Sequence, residues 1–131
     1  MVFIVVIVVS AERGGDVVDL VDVKTFQCAV KNGWTFAIVR SYHGLKRAAE
    51  PSERASRGMQ QTDVYHFPCY QQFSLPSAQV SADYTALQNA GATFGTMWFD
   101  IETNPDSNCA WNEVQSLNCE FLNGLIEGGK L

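Results

Sequence analysis

Apolar and polar positions come in alternating blocks along the 131-residue chain, and the blocks predict strand–helix pairs in series. Residues 1–9 are almost wholly apolar, and Gly14-Gly15 then precede a short strand, Asp16-Val17-Val18. Asp22 can cap a helix over 23–31, with Phe26, Ala29 and Val30 on one face and Asn32-Gly33 as its stop. Trp34 to Val39 is continuously apolar, the pattern of a strand buried on both faces. Residues 40–61 are polar. Ala48, Ala49 and Ala55 allow a weak helix there, which Pro51 and Gly58 should break. Thr62 to Phe67 reads as a third strand, ended by Pro68. Ser74 can cap the next helix, with Leu75 and Pro76 in its first turn and Val80, Tyr84 and Leu87 at helical spacing. Residues 93–101 form a fourth strand. Residues 111–126 form a last helix, in which Val114, Leu117, Phe121 and Leu125 recur every three or four positions.

Alternation of this kind predicts an α/β fold of parallel β/α units with right-handed crossovers. Four such units make either a small open sheet or half of an eight-stranded barrel, and periodicity does not choose between them. A flavodoxin-like sheet is disfavoured, because Gly14-Gly15 precede the first strand, where a phosphate loop would follow it.

Composition narrows the class. The chain is 47% hydrophobic and 18% charged, which fits one globular domain. A net charge of −5 argues against nucleic acid as a partner, since phosphate binding needs a basic face. The apolar start is too short to span a membrane. It resembles a signal-peptide core ending at Ala11, although no Lys or Arg precedes it; a buried first strand is the alternative. The expected organisation is a signal peptide over 1–11 and one domain over 12–131, in a secreted chain or one sent to a phagosomal or lysosomal lumen. Cys28, Cys69, Cys109 and Cys119 then read as two disulfides with three possible connectivities. The shorter loop favours Cys109–Cys119, leaving Cys28–Cys69. Their spacing does not make a paired CxxC zinc site, and His43 and His66 do not complete one, so no metal and no cofactor is expected.

The chemistry centres on Met97-Trp98-Phe99-Asp100-Ile101-Glu102. Strand alternation puts Trp98, Asp100 and Glu102 on one face, at the C-terminal end of an apolar strand. That end is where α/β proteins place their sites, and a carboxyl pair there suits glycoside hydrolysis. For one acid to donate a proton it must stay protonated, which burial and a neighbouring carboxylate would favour; Glu102 is the candidate. Alternation also turns His66 away from Tyr65, toward the helices. Trp34 and Trp111 read as packing residues.

Asp16-Val17, Thr25 to Cys28, Asn32 to Tyr42, Asp63 to Cys69 and Trp98 to Glu102 occur in an order and spacing that resemble the glycoside hydrolase family 25 lysozymes, especially small secreted ones. The resemblance covers about residues 14–127. It implies a modified β/α (TIM-like) barrel, of which this chain would form the first half, because the family has roughly twice as many units. It also implies cleavage of the β-1,4 bond between N-acetylmuramic acid and N-acetylglucosamine in bacterial peptidoglycan. Carried over, Glu102 is the general acid, Asp100 its partner and Asp16 a further active-site carboxylate. Tyr65 lines the sugar cleft, and Arg40 and Tyr42 contact substrate; Trp98, on the strand face of Asp100 and Glu102, is a further candidate sugar contact. Alternatives are a descendant that binds wall sugars without cleaving them, and a half-barrel that self-associates to cover its open edges.

Overall fold

The computed structural model describes residues 12–43, 46–47, 49–71 and 75–130. The expected signal peptide and the expected cap at Ser74 lie outside these residues. The elements are β1 (Gly14–Val17), α1 (Val23–Lys31), β2 (Phe36–His43), β3 (Lys46–Arg47), α2 (Ala49–Gly58), β4 (Gln61–Phe67), α3 (Pro76–Asn89), β5 (Met97–Phe99), a 3₁₀ turn (Ser107–Cys109) and α4 (Gln115–Gly128).

Strands β1, β2, β4 and β5 lie side by side in that order, all parallel, and β3 pairs antiparallel with the end of β2. The α/β alternation expected from the sequence is therefore present. Local chemistry accounts for several boundaries. The Asp22 side chain accepts from the Thr25 N–H at 2.7 Å to start α1, which also holds the Asp22 carboxyl below its ordinary pKa. Gly33, at φ 88°, makes the left-handed turn after α1. Pro51 falls in the first turn of α2, where its missing N–H has no helical partner to lose, and Gly58 is the last residue. Neither interrupts the helix as expected. Leu75 takes the N-cap position of α3, with Pro76 at the first helical residue.

The helix-facing side of the sheet is the buried one. Ala37 and Val39 of β2 pack with Phe26 of α1 and with Ala55 and Met59 next to or within α2. Val80 of α3 packs with Phe121 and Leu125 of α4, against Met97, Phe99, Tyr70 and Trp111. On the other side Phe36, Ile38, Arg40, Asp63 and Tyr65 are only partly buried. The expectation that β2 is buried on both faces is corrected accordingly: its apolar run covers one packed face and one half-open face. Trp34, expected to pack, is exposed beside Gly15.

Two more boundaries differ. β5 covers three residues rather than 93–101, and Asp100 to Asn104 leave the sheet as a loop. α4 begins at Gln115 rather than 111, because the Asn118 side chain accepts the Asn112 N–H and donates to the Asn112 carbonyl, which holds the preceding segment out of the helix.

One disulfide joins Cys69 to Cys109, with Cα atoms 4.4 Å apart. The expected Cys109–Cys119 and Cys28–Cys69 pairings are thus corrected, and Cys28 and Cys119 are exposed thiols on α1 and α4. Sequence distance favoured the wrong pair: the fold brings the segment after β4 against the segment after β5. No described helix is long and apolar enough to cross a membrane.

Candidate active site

Registered partners in a parallel sheet share a face, so the pairing places the candidate residues directly. Asp16 faces Ile38, and Ile38 faces Asp63; Arg40 faces Tyr65, and Tyr65 faces Trp98. One side of the sheet, the side away from the helices, therefore carries Asp16, Ile38, Arg40, Asp63, Tyr65 and Trp98. The Asp100 N–H donates to the His66 carbonyl at 3.0 Å, which carries the line of β5 one step further. Asp100 thus sits beside this row at the C-terminal ends of the strands.

Electrostatics shows which of these groups meet. Tyr65 is half-buried, and burial pushes its phenol up to about 12; Asp16, Asp100 and Glu102 push the same way, and Arg40 opposes them. The Asp100 carboxyl is raised above the ordinary aspartate value, first by burial, then by the negative charges of Glu102 and Asp16, with Arg40 again opposing. Five residues singled out from the sequence, Asp16, Arg40, Tyr65, Asp100 and Glu102, are therefore close enough to feel one another. The burial expected around Glu102 is found around Asp100 instead: Glu102 is exposed in the loop after β5, and Asp16 is exposed on β1.

The loop bearing the acids is fastened from below. The Trp111 indole N–H donates to the Glu102 carbonyl at 2.7 Å, and its ring packs on Tyr70 and Phe121. Buried Asn104 donates to the Pro68 carbonyl at 3.3 Å and accepts the Asp106 N–H at 3.0 Å. The Cys69–Cys109 disulfide joins the same two segments.

Trp98 lies on the cleft side as expected, about half exposed. Its indole N–H donates to Asp63 Oδ2 at 2.9 Å, and Asp63 Oδ1 accepts the Thr96 N–H at 2.9 Å. Asp63 was not among the expected site residues. Its signal was available, since it stands two residues before Tyr65 and shares that face.

Tyr42 is not where it was expected. The β2–β4 register slips between Arg40 and Tyr42, so Ser41 has no facing residue on β4. Tyr42 is consequently turned to the helix side, buried and stacked on His66 with ring centroids 4.2 Å apart. It is removed from the set of cleft-facing residues. His66 lies on the helix side, as alternation from Tyr65 predicts.

Taken together, the site has four carboxylates (Asp16, Asp63, Asp100 and Glu102), one guanidinium, one phenol and an indole anchored to Asp63 on one open face. Such a set can bind a polyhydroxylated ligand by hydrogen bonds and ring stacking. Among the described residues no cluster of His, Cys, Asp and Glu is arranged to hold a metal ion.

Comparison with known proteins points to the family that the motifs resemble. A family model described as lysozyme-like protein 1 matches residues 9–130. "Probable GH family 25 lysozyme 4" of Dictyostelium discoideum is 32% identical over 126 residues, which is 92% of this chain and 56% of that protein. "Lysozyme-like protein 5" of Caenorhabditis elegans is 32% identical over 130 residues, 94% of this chain and 58% of its own length. "Probable GH family 25 lysozyme 2" of D. discoideum is 31% identical over 129 residues, again 94% and 58%. The chain therefore spans a little over half the length of these curated relatives. No solved structure gives a significant match.

Proposed function

The chain belongs to the GH family 25 type of lysozymes, and from that premise we propose that it hydrolyses the β-1,4 bond between N-acetylmuramic acid and N-acetylglucosamine in bacterial peptidoglycan. The observation that carries this reading is the convergence of Asp16, Asp100 and Glu102 on the phenol of Tyr65, at the C-terminal ends of the parallel strands. Glu102 is the general acid that protonates the leaving oxygen. Asp100, raised by burial and by the charges of Glu102 and Asp16, is its partner. Asp16 is the third carboxylate. Tyr65, Arg40 and Trp98 bind the sugar. The four parallel strands act as the first half of a β/α barrel, and the polymer lies across their open face. The site works in a secreted protein or a degradative compartment, reached through a signal peptide over 1–11.

The test is incubation of the purified chain with bacterial walls at acid and neutral pH, reading new reducing ends. Release by wild type is expected, with a loss of roughly 10²–10⁴-fold in Glu102→Gln on walls. An aryl glycoside of the same sugar, whose leaving group needs no proton, should recover most of that loss. No release by wild type at either pH would overturn the reading. An equal loss on both substrates would instead remove the general-acid role from Glu102.

A second reading has one specific observation behind it. The face bearing Tyr65 and Trp98 is open among the described residues, so the chain has the elements of a wall-sugar binder without turnover. Retention of the chain on insoluble peptidoglycan with no release of reducing ends would favour it.

A further inference from the structure

Directly behind the cleft, on the helix side of the sheet, lies a fully buried polar cluster that the proposed chemistry does not use. Asp83 stands on the buried face of α3, with Gln79, Val80 and Leu87. Its Oδ2 accepts from Ser41 Oγ at 2.7 Å and lies 2.9 Å from His66 Nδ1. The Ser41 hydroxyl also reaches the Tyr65 carbonyl at 3.2 Å, sharing its proton between the two acceptors. Ser41, His66 and Asp83 are all 0% exposed.

General stability does not explain this cluster. Asp83 Oδ1 and His66 Nε2 are buried with no hydrogen-bond partner among the described residues. Each such atom costs about 1–3 kcal/mol. An apolar residue at 83 would leave no such oxygen in the core. The cluster is instead distinguished by where its connections end. Ser41 adjoins Arg40. His66 adjoins Tyr65, and its carbonyl accepts the Asp100 N–H. Ser41 is also the residue at which the β2–β4 register slips. A bulge of this kind re-aims the side chains around it, and it persists only if the extra residue is held.

The geometry assigns Asp83 as a positioning residue of the cleft: through Ser41 and His66 it holds the β2 bulge and sets Arg40, Tyr65 and Asp100 relative to one another. This rests on the reading of those three residues as cleft residues. Asp83 touches no substrate and acts from the opposite side of the sheet. The bulge it holds also sends Tyr42 to the helix side, where it stacks on His66 and packs the cluster from above.

The test uses Ser41→Ala, Asp83→Ala and Asp83→Asn in the full chain, with two readouts made without substrate. These are the Tyr65 phenol titration followed by ultraviolet absorbance and the Asp100 carboxyl titration followed by carbon NMR. Burial is the leading cause of both raised values. A loosened bulge admits water, so Ser41→Ala and Asp83→Ala should move both midpoints back toward ordinary values, by about half a pH unit or more. Asp83→Asn keeps an oxygen for Ser41 and should restore the wild-type midpoints. With walls as substrate, Ser41→Ala should lower kcat roughly ten- to hundredfold and leave KM little changed.

A folded Ser41→Ala chain with midpoints unchanged or raised overturns the proposal, because a purely structural role would lower the melting temperature and leave both titrations in place. Should Asp83→Ala fail to fold, Ser41→Ala decides. Wild type that cleaves nothing would sink the lysozyme reading, while the substrate-free titrations would still judge Asp83.

Discussion

Tyr65 carries the clearest single-residue signature of the site. Its phenol is pushed up to about 12, mainly by burial and then by the three carboxylates. Its folded value lies above the unfolded one, so its contribution to stability is complete below about pH 10 and is lost as pH rises toward 12. A tyrosinate absorbance step near pH 12 is expected in wild type and absent in Tyr65→Phe. Asp100 obeys the same sign at the other end of the scale. Its raised value means that the folded chain binds the proton more tightly than the unfolded chain. The associated stability is present below the ordinary aspartate range and lost as pH rises through the raised value. Asp100→Asn carries no charge at any pH, so it should melt above wild type at neutral pH. A gain of about 2 °C is expected for a half-buried group screened by solvent. The gain should vanish in acid, and melting curves at pH 3 and pH 7 check this. At the same scale, Asp83 had a readable sign. It is an acid on the buried face of α3, with Val80 and Leu87 at helical spacing.

At the scale of elements, the strands and helices follow the apolar pattern, and their errors have local causes. β5 is short because the chain leaves the ladder after Phe99, and only the Asp100 N–H continues it. α2 survives Pro51 because the proline is in the first turn. The packing of α4 on α3 depends on Gly128, the last residue of α4. A Cβ added to Gly128 would stand 2.7 Å from Ser77 Cα and 3.1 Å from its carbonyl oxygen, both backbone atoms that cannot swing away. Alanine is the better helix former by about 1 kcal/mol, yet Gly128→Ala is expected to destabilise by about 1–3 kcal/mol through overpacking. Urea denaturation measures it, and an equal or more stable variant would show that α4 shifts freely along α3. The β2 bulge belongs here too. Alternation alone puts Arg40 and Tyr42 on one face, and one unpaired residue, Ser41, separates them.

For the whole molecule, the Cys69–Cys109 bridge is the longest covalent tie, linking residues 40 apart in sequence. In the chain-entropy picture a loop of that size is worth about 4 kcal/mol. Replacing both cysteines by alanine should lower the unfolding free energy by roughly that amount and loosen the loop bearing Asp100 and Glu102. Peptide mapping of the unreduced protein should recover Cys69 linked to Cys109, with Cys28 and Cys119 open to alkylation. Recovery of a Cys109–Cys119 link would contradict the fold's placement of these loops. The sheet has a further consequence at this scale. Among the described residues β1 pairs only with β2, and β5 only with β4. Unpaired outer edges of this kind are templates for association. Light scattering at rising concentration should show self-association, and a strictly monomeric chain would count against open edges in solution.

Sequence alone determined the α/β order, the cap at Asp22, the stop at Gly33, and the step from Tyr65 to His66 that turns the two to opposite sides of the sheet. These depend on periodicity and on backbone preferences that act within a few residues. The order and spacing of the motifs also carried the family. Tertiary structure alone decided which cysteines pair, on which side Tyr42 lies, that burial falls on Asp100 rather than Glu102, and that Asp83 ties β2 and β4 from behind. Each of these depends on which distant segments are brought together. Loop closure and strand register between distant segments leave no period in a sequence, because one unpaired residue such as Ser41 reverses every face that follows it.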